Sequence, residues 1–152
     1  VVKLTNPTEP RKIRILLVAA NRAFLHVTTR FLKRHDELVV VGAVDSGEDA
    51  LAQVQELRPQ VVVLDMDMPG QAGLETIHCL RTMLPQVGII ALSLLDAEGY
   101  HRAALAAGAD DFVAKTVLST HLLPAIQRAK QNGRSKPEPT SRIHLPTELK
   151  VP

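Results

Sequence analysis

Asp65, Ser93 and Lys115 are the side chains through which this sequence could do chemistry, and each stands at the end of a short apolar run. Asp65 closes VVVLD, Ser93 closes IIALS, and Lys115 follows DFVA. If those runs are strands of a parallel sheet, the residues at their carboxyl ends gather along one edge, where open α/β sheets carry their sites. A carboxylate, a hydroxyl and an ammonium would converge there. One use of that set is group transfer, in which the carboxylate attacks a phosphoryl donor while hydroxyl and ammonium meet the charged oxygens. The other use is architectural. A carboxylate desolvated behind four apolar residues needs a counter-charge, which Lys115 can supply as a plain ion pair, and Ser93 then only caps a strand end.

Most other chemistries lack their residues. No dinucleotide-binding G-x-G-x-x-G, no P-loop and no G-x-S-x-G elbow occurs. His26, His35, His78, His101, His121 and His144 fall at no metal-ligand spacing, and Cys79 beside His78 makes only an adjacent pair. A single cysteine forms no internal disulfide and suits a reducing compartment. With no signal-peptide pattern and no apolar run of membrane-spanning length, the expectation is a cytoplasmic chain with no membrane partner. The net charge of +2 and the isoelectric point near 8.9 originate in the two ends, because residues 13–131 carry slightly more acid than base. A nucleic-acid binder would show its basic face on the folded part, so no direct nucleic-acid binding is expected.

Positioning three such groups requires a sheet, and the composition favours one. Of the 152 residues 45% are hydrophobic but only 3% aromatic, so the core must be built from Val, Leu, Ile and Ala, as in parallel sheets covered by helices. Short β-branched runs alternate with longer stretches of helical period, the rhythm of βα units. The expected strands are Ile13 to Val18, Leu38 to Gly42, Gln60 to Asp65, Val87 to Ser93 and Asp111 to Ala114. The expected helices run from Arg22 to Arg34, from Ser46 as cap to Leu57, through Leu74 to Leu84, from Ala97 to Ala107 before Gly108, and from Ser119 to Gln131. Pro124 predicts a kink or a late start in the last of these. Residues 1–12 and the proline-rich 132–152 read as flexible tails around one domain, 13–131.

The segments ILLV, VVVLDMDMPGQAGLE, IIALS and AGADDFVAK, in this order, resemble the response-regulator receiver family of two-component signalling, over roughly Ile13 to Gln131. The resemblance implies a flavodoxin-like doubly wound sheet of order 2-1-3-4-5 with five helices. It makes Asp65 the candidate phosphoacceptor, Ser93 the switch hydroxyl, Phe112 the switch aromatic and Lys115 the phosphate-contacting lysine. Thr116 after Lys115 is closest to the NarL-type members, which carry a DNA-binding module after a linker; residues 132–152 are too short to hold one. A sensor histidine kinase is the partner implied, and the face of the fourth helix, fifth strand and fifth helix is the implied homodimer surface, with apolar contacts sought around Leu118, Leu122 and Leu123.

At one place the family pattern fails. Receivers set acidic residues directly after the first strand to hold Mg²⁺, a hard ion that takes oxygen ligands. Here Ala19, Ala20 and Asn21 follow ILLV. Asp65 and Asp67 remain as residual metal candidates; the side chain of Asp67 could swing inward, although the family uses the carbonyl of that position. The expectation is an atypical receiver that acts by protein contact, with no cofactor unless the Mg²⁺ site is rescued, and no enzyme beyond self-phosphorylation at Asp65. The competing readings are a receiver phosphorylated on Asp65 by a histidine kinase and a flavodoxin-like small-ligand binder.

Overall fold

The aliphatic runs pair as five parallel strands, β1 (Ile13–Val18), β2 (Leu38–Val44), β3 (Val61–Asp65), β4 (Gly88–Ser93) and β5 (Asp111–Ala114), in the order β2-β1-β3-β4-β5. The computed structural model describes residues 11–95 and 97–135, and for 131–135 the backbone alone. Alternate residues of each strand enter opposite layers, the consequence of a side-chain period of two. Leu16, Val18, Val62, Leu64, Ile89 and Ala91 pack with α2 (Gly47–Leu57), α3 (Ala72–Met83) and α4 (Glu98–Ala107). Ile15, Leu17, Val61, Val63, Ile90 and Leu92 pack with α1 (Arg22–Lys33) and α5 (Leu118–Ser135). Both faces are buried, which is why β3 and β4 read as unbroken apolar runs rather than as alternating ones.

The helix ends follow local chemistry. Ser46 accepts a hydrogen bond from the Asp49 amide at 3.0 Å and starts α2, and Asn21 accepts from the Phe24 amide at 2.9 Å and starts α1. Gly108 closes α4 at φ 127°, a conformation open to glycine at little cost.

Three expectations need correction. β2 runs two residues past Gly42 to Val44. α5 neither starts late nor stops at Gln131: it begins at Leu118, passes through Pro124 and reaches Ser135, so the helix continues four residues into the segment read as tail. Pro124 is exposed, and water can meet the Thr120 carbonyl that the missing N–H leaves without its helical partner. Lastly, Leu122 is fully buried and belongs to the domain's own core rather than to an apolar surface for a second copy, while Leu118 and Leu123 are half-buried against the same layer. Residues 1–10 and 136–152, most of the two expected tails, lie outside the described residues.

Candidate functional site

β3 delivers Asp65 to the carboxyl edge of the sheet, where its residue is only 1% exposed. The strand order reverses around β1 and β3, so this edge is the switch point of the fold. The loop after Asp65 is shaped by two glycines. Gly70 takes φ 65°, where a side chain would be strained, and a β-carbon at Gly73 would lie 3.0 Å from the Met66 backbone. The sequence MDMPGQAG therefore folds back tightly and turns Asp67 towards β4.

Lys115, in the short 3₁₀ turn Lys115–Val117 that follows β5, reaches across to β3. Its Nζ donates to the Asp65 carboxylate at 2.9 Å, with both oxygens in reach, and lies 3.0 Å from Oδ2 of Asp67. The lysine side chain is 11% exposed, so this is a largely desolvated ion pair rather than a surface one. The amide of Asp67 donates to Oδ1 of Asp65 at 2.8 Å and meets more of the buried carboxylate's acceptor capacity. The aromatic ring of Phe24, in the first turn of α1, stands 4.2 Å from Lys115 Nζ, close enough for a cation–π contact.

Ser93, fully buried at the end of β4, donates from Oγ to Oδ1 of Asp67 at 2.7 Å and accepts from the Leu95 amide at 2.9 Å. The Leu94 amide donates to Oδ2 of Asp67 at 2.9 Å. The backbone of Asp67 is exposed, yet its side chain is turned in and only 24% exposed. Partial burial pushes the Asp67 carboxyl upward. The hydrogen bonds from Ser93 and Leu94, together with the Lys115 ammonium, outweigh that and hold it below its ordinary value.

The sequence-predicted residues thus divide. Asp65, Ser93 and Lys115 do come together. Phe112 is buried in the layer with α4, its ring 4.1 Å from that of His101, and serves as core. One participant escapes sequence reasoning, Phe24, which reads only as part of an amphipathic stripe; Asp67, whose side chain the sequence allows to swing inward, does turn inward, onto Ser93 and Lys115.

The donor set does not fit Mg²⁺. Ala19 is fully buried with its amide bound to the Val44 carbonyl, and neither it nor Ala20 carries a side-chain oxygen. The Asn21 oxygen is committed to the cap of α1. Asp65 and Asp67 both already face one ammonium, and no group of three or more acidic, histidine or cysteine side chains suited to a metal occurs among the described residues.

A family model described as the response regulator receiver domain matches residues 15–127. Response regulator GacA of Pseudomonas viridiflava is 34% identical over 115 residues, covering 76% of this chain and 54% of that protein. The chain spans about half the length of the first curated relatives it matches. Among solved structures, the receiver domain of NarL from Mycobacterium tuberculosis superposes with a TM-score of 0.74 at 26% identity, covering 80% of this chain and 98% of that one. The response regulator domain of CheB from Thermotoga maritima gives 0.73 at 28% identity, with the same coverage. Sheet order, site edge and the extent of the match agree: the chain belongs to the response regulator receiver family of two-component signalling.

Proposed function

We propose that this receiver works as a signalling module through protein contact, with its Asp65 carboxylate paired from within by Lys115 and with little or no Mg²⁺-dependent phosphorylation. One observation carries the reading: the Lys115 ammonium sits 2.9 Å from the buried Asp65 carboxylate, in a chain where Ala19 and Ala20 follow β1. Phosphoryl transfer to Asp65 brings charge that fixed cations or donors must meet. The nearest ammonium is shared by two carboxylates, and Ala19 and Ala20 offer no oxygen with which to hold a divalent ion beside it. The partner is a protein, and the site of action is the cytoplasm; the lone Cys79 agrees with this, and among the described residues no helix is long and apolar enough to cross a membrane.

A second reading keeps Asp65 as the acceptor of phosphate from a sensor histidine kinase. The convergence of Asp65, Ser93 and Lys115 on one edge favours it. Titration with Mg²⁺ and beryllofluoride, a phosphoryl mimic, followed by amide NMR separates the two. The first reading expects the Ser93, Leu94 and Phe112 resonances to stay in place; saturable shifts at those residues establish the second.

A further inference from the structure

Asp67 makes contacts that the Asp65–Lys115 ion pair does not account for. Its carboxylate receives three donors of different kinds: the Ser93 hydroxyl at 2.7 Å, the Leu94 backbone amide at 2.9 Å and the Lys115 ammonium at 3.0 Å. A hydroxyl, an N–H and a cation gathered on the two oxygens of one carboxylate are the kinds of donor that stabilise a bound oxyanion. They come from the ends of β4 and β5, and the carboxylate that fills them comes from the loop after β3.

We propose that Asp67 is a built-in occupant of the site's oxyanion place: its carboxylate takes the donors that a phosphoryl oxygen would need and holds them in their anion-bound arrangement without phosphate. This deepens the proposed function and rests on Asp65, Ser93 and Lys115 being a receiver site. Charge explains the exclusion. Two carboxylates face one ammonium, an excess of negative groups, and phosphorylation of Asp65 would exchange its single charge for about −1.5 to −2 on the phosphoryl group, so the excess would grow. The tethered carboxylate also loses less freedom on binding than a free anion, which gives it a standing advantage.

A mechanical consequence follows. Asp67 fixes the Leu94 amide, and Ser93, itself bound to Asp67, fixes the Leu95 amide. Those two leucines are 63% and 56% exposed. The loop that displays them is thus tied at successive N–H groups, the first to the Asp67 carboxylate and the second to the Ser93 hydroxyl that donates to it, so occupancy of the oxyanion place sets the shape of the neighbouring surface.

The test uses the complete chain in metal-free buffer with inorganic phosphate as the probe, read by amide NMR. Asp67→Ala should move the Leu94 and Leu95 amides and expose the three donors, so that phosphate binds at least about tenfold more tightly than to the parent. Asp67→Asn keeps the shape, loses the charge and retains one acceptor; it should give shifts and a gain in affinity in the same direction, both smaller. It also provides the answer if the alanine variant fails to fold. Unmoved Leu94 and Leu95 amides, or phosphate affinity in the variants no higher than in the parent, overturns the proposal. Failure of the underlying reading would show elsewhere, in the response of the parent to Mg²⁺ with beryllofluoride, since no metal enters the phosphate titrations.

Discussion

Lys115 is the residue on which the electrostatics of the site turns, because it is the cation within 3.0 Å of both Asp65 and Asp67. Removing one partner of a buried pair leaves the other charge unanswered. Lys115→Met should therefore cost about 3 kcal/mol in urea unfolding. Adding Asp65→Asn to that variant should return much of the loss, because the stranded charge goes too. A single variant within about 0.5 kcal/mol of the parent would show that the pair is not a buried one. Asp67 gives a pH signature. Its folded-state value lies below the unfolded one, so its contribution is present above about pH 3.9 and is lost as the pH falls through the folded value. Asp67→Asn should accordingly lose less stability than the parent on acidification from neutral pH; parallel losses in the two chains would contradict this. The Asp65–Lys115 pair was legible in the sequence, since a carboxylate behind VVVL must find a cation. The direction of the Asp67 side chain was not. It depends on the tight turn through Gly70 and Gly73 and on partners that lie far along the chain, at Ser93 and Lys115.

At the scale of elements, the strands and helices were legible where one rule sufficed and blurred where two competed. β1 and β5 begin and end where their apolar runs do. β2 outruns its reading because Gly42, which looks like a terminator, is a packing position: a β-carbon there would lie 2.8 Å from a Leu57 methyl and 3.1 Å from one of Leu16. The strand also shifts register against β1 between Ile15 and Leu16 to accommodate that stretch. α5 overrides the local preference of Pro124 because Leu122, Ala125, Ile126 and Ala129 bury a continuous stripe against the sheet. Tertiary packing outweighs the lost hydrogen bond, but the loss remains. Pro124→Ala should raise stability by about 1–3 kcal/mol, measured by thermal or urea unfolding. A neutral or destabilising result would mean that the fixed φ of proline helps α5 more than its missing donor harms it.

For the molecule as a whole, the fold is the part most fully written in the sequence, since the alternation of runs and helical stripes admits few parallel arrangements. The family pattern adds the strand order and the edge at which to look. What distinguishes this receiver is a charge balance set at positions far apart in sequence. Two acids are absent at Ala19 and Ala20, one lysine is present at 115, and a further carboxylate at 67 has turned inward. The central claim is that the protein's own Lys115 pairs with Asp65 while the residues after β1 lack the oxygens to hold a divalent ion. Isothermal calorimetry with Mg²⁺ tests it most directly, comparing the parent with the Ala19→Asp, Ala20→Asp double variant and with Ala20→Asp alone, since Ala19 is fully buried. The account predicts no resolvable Mg²⁺ binding by the parent and clear saturable binding by the double variant; a parent that binds Mg²⁺ as tightly as the double variant would contradict it.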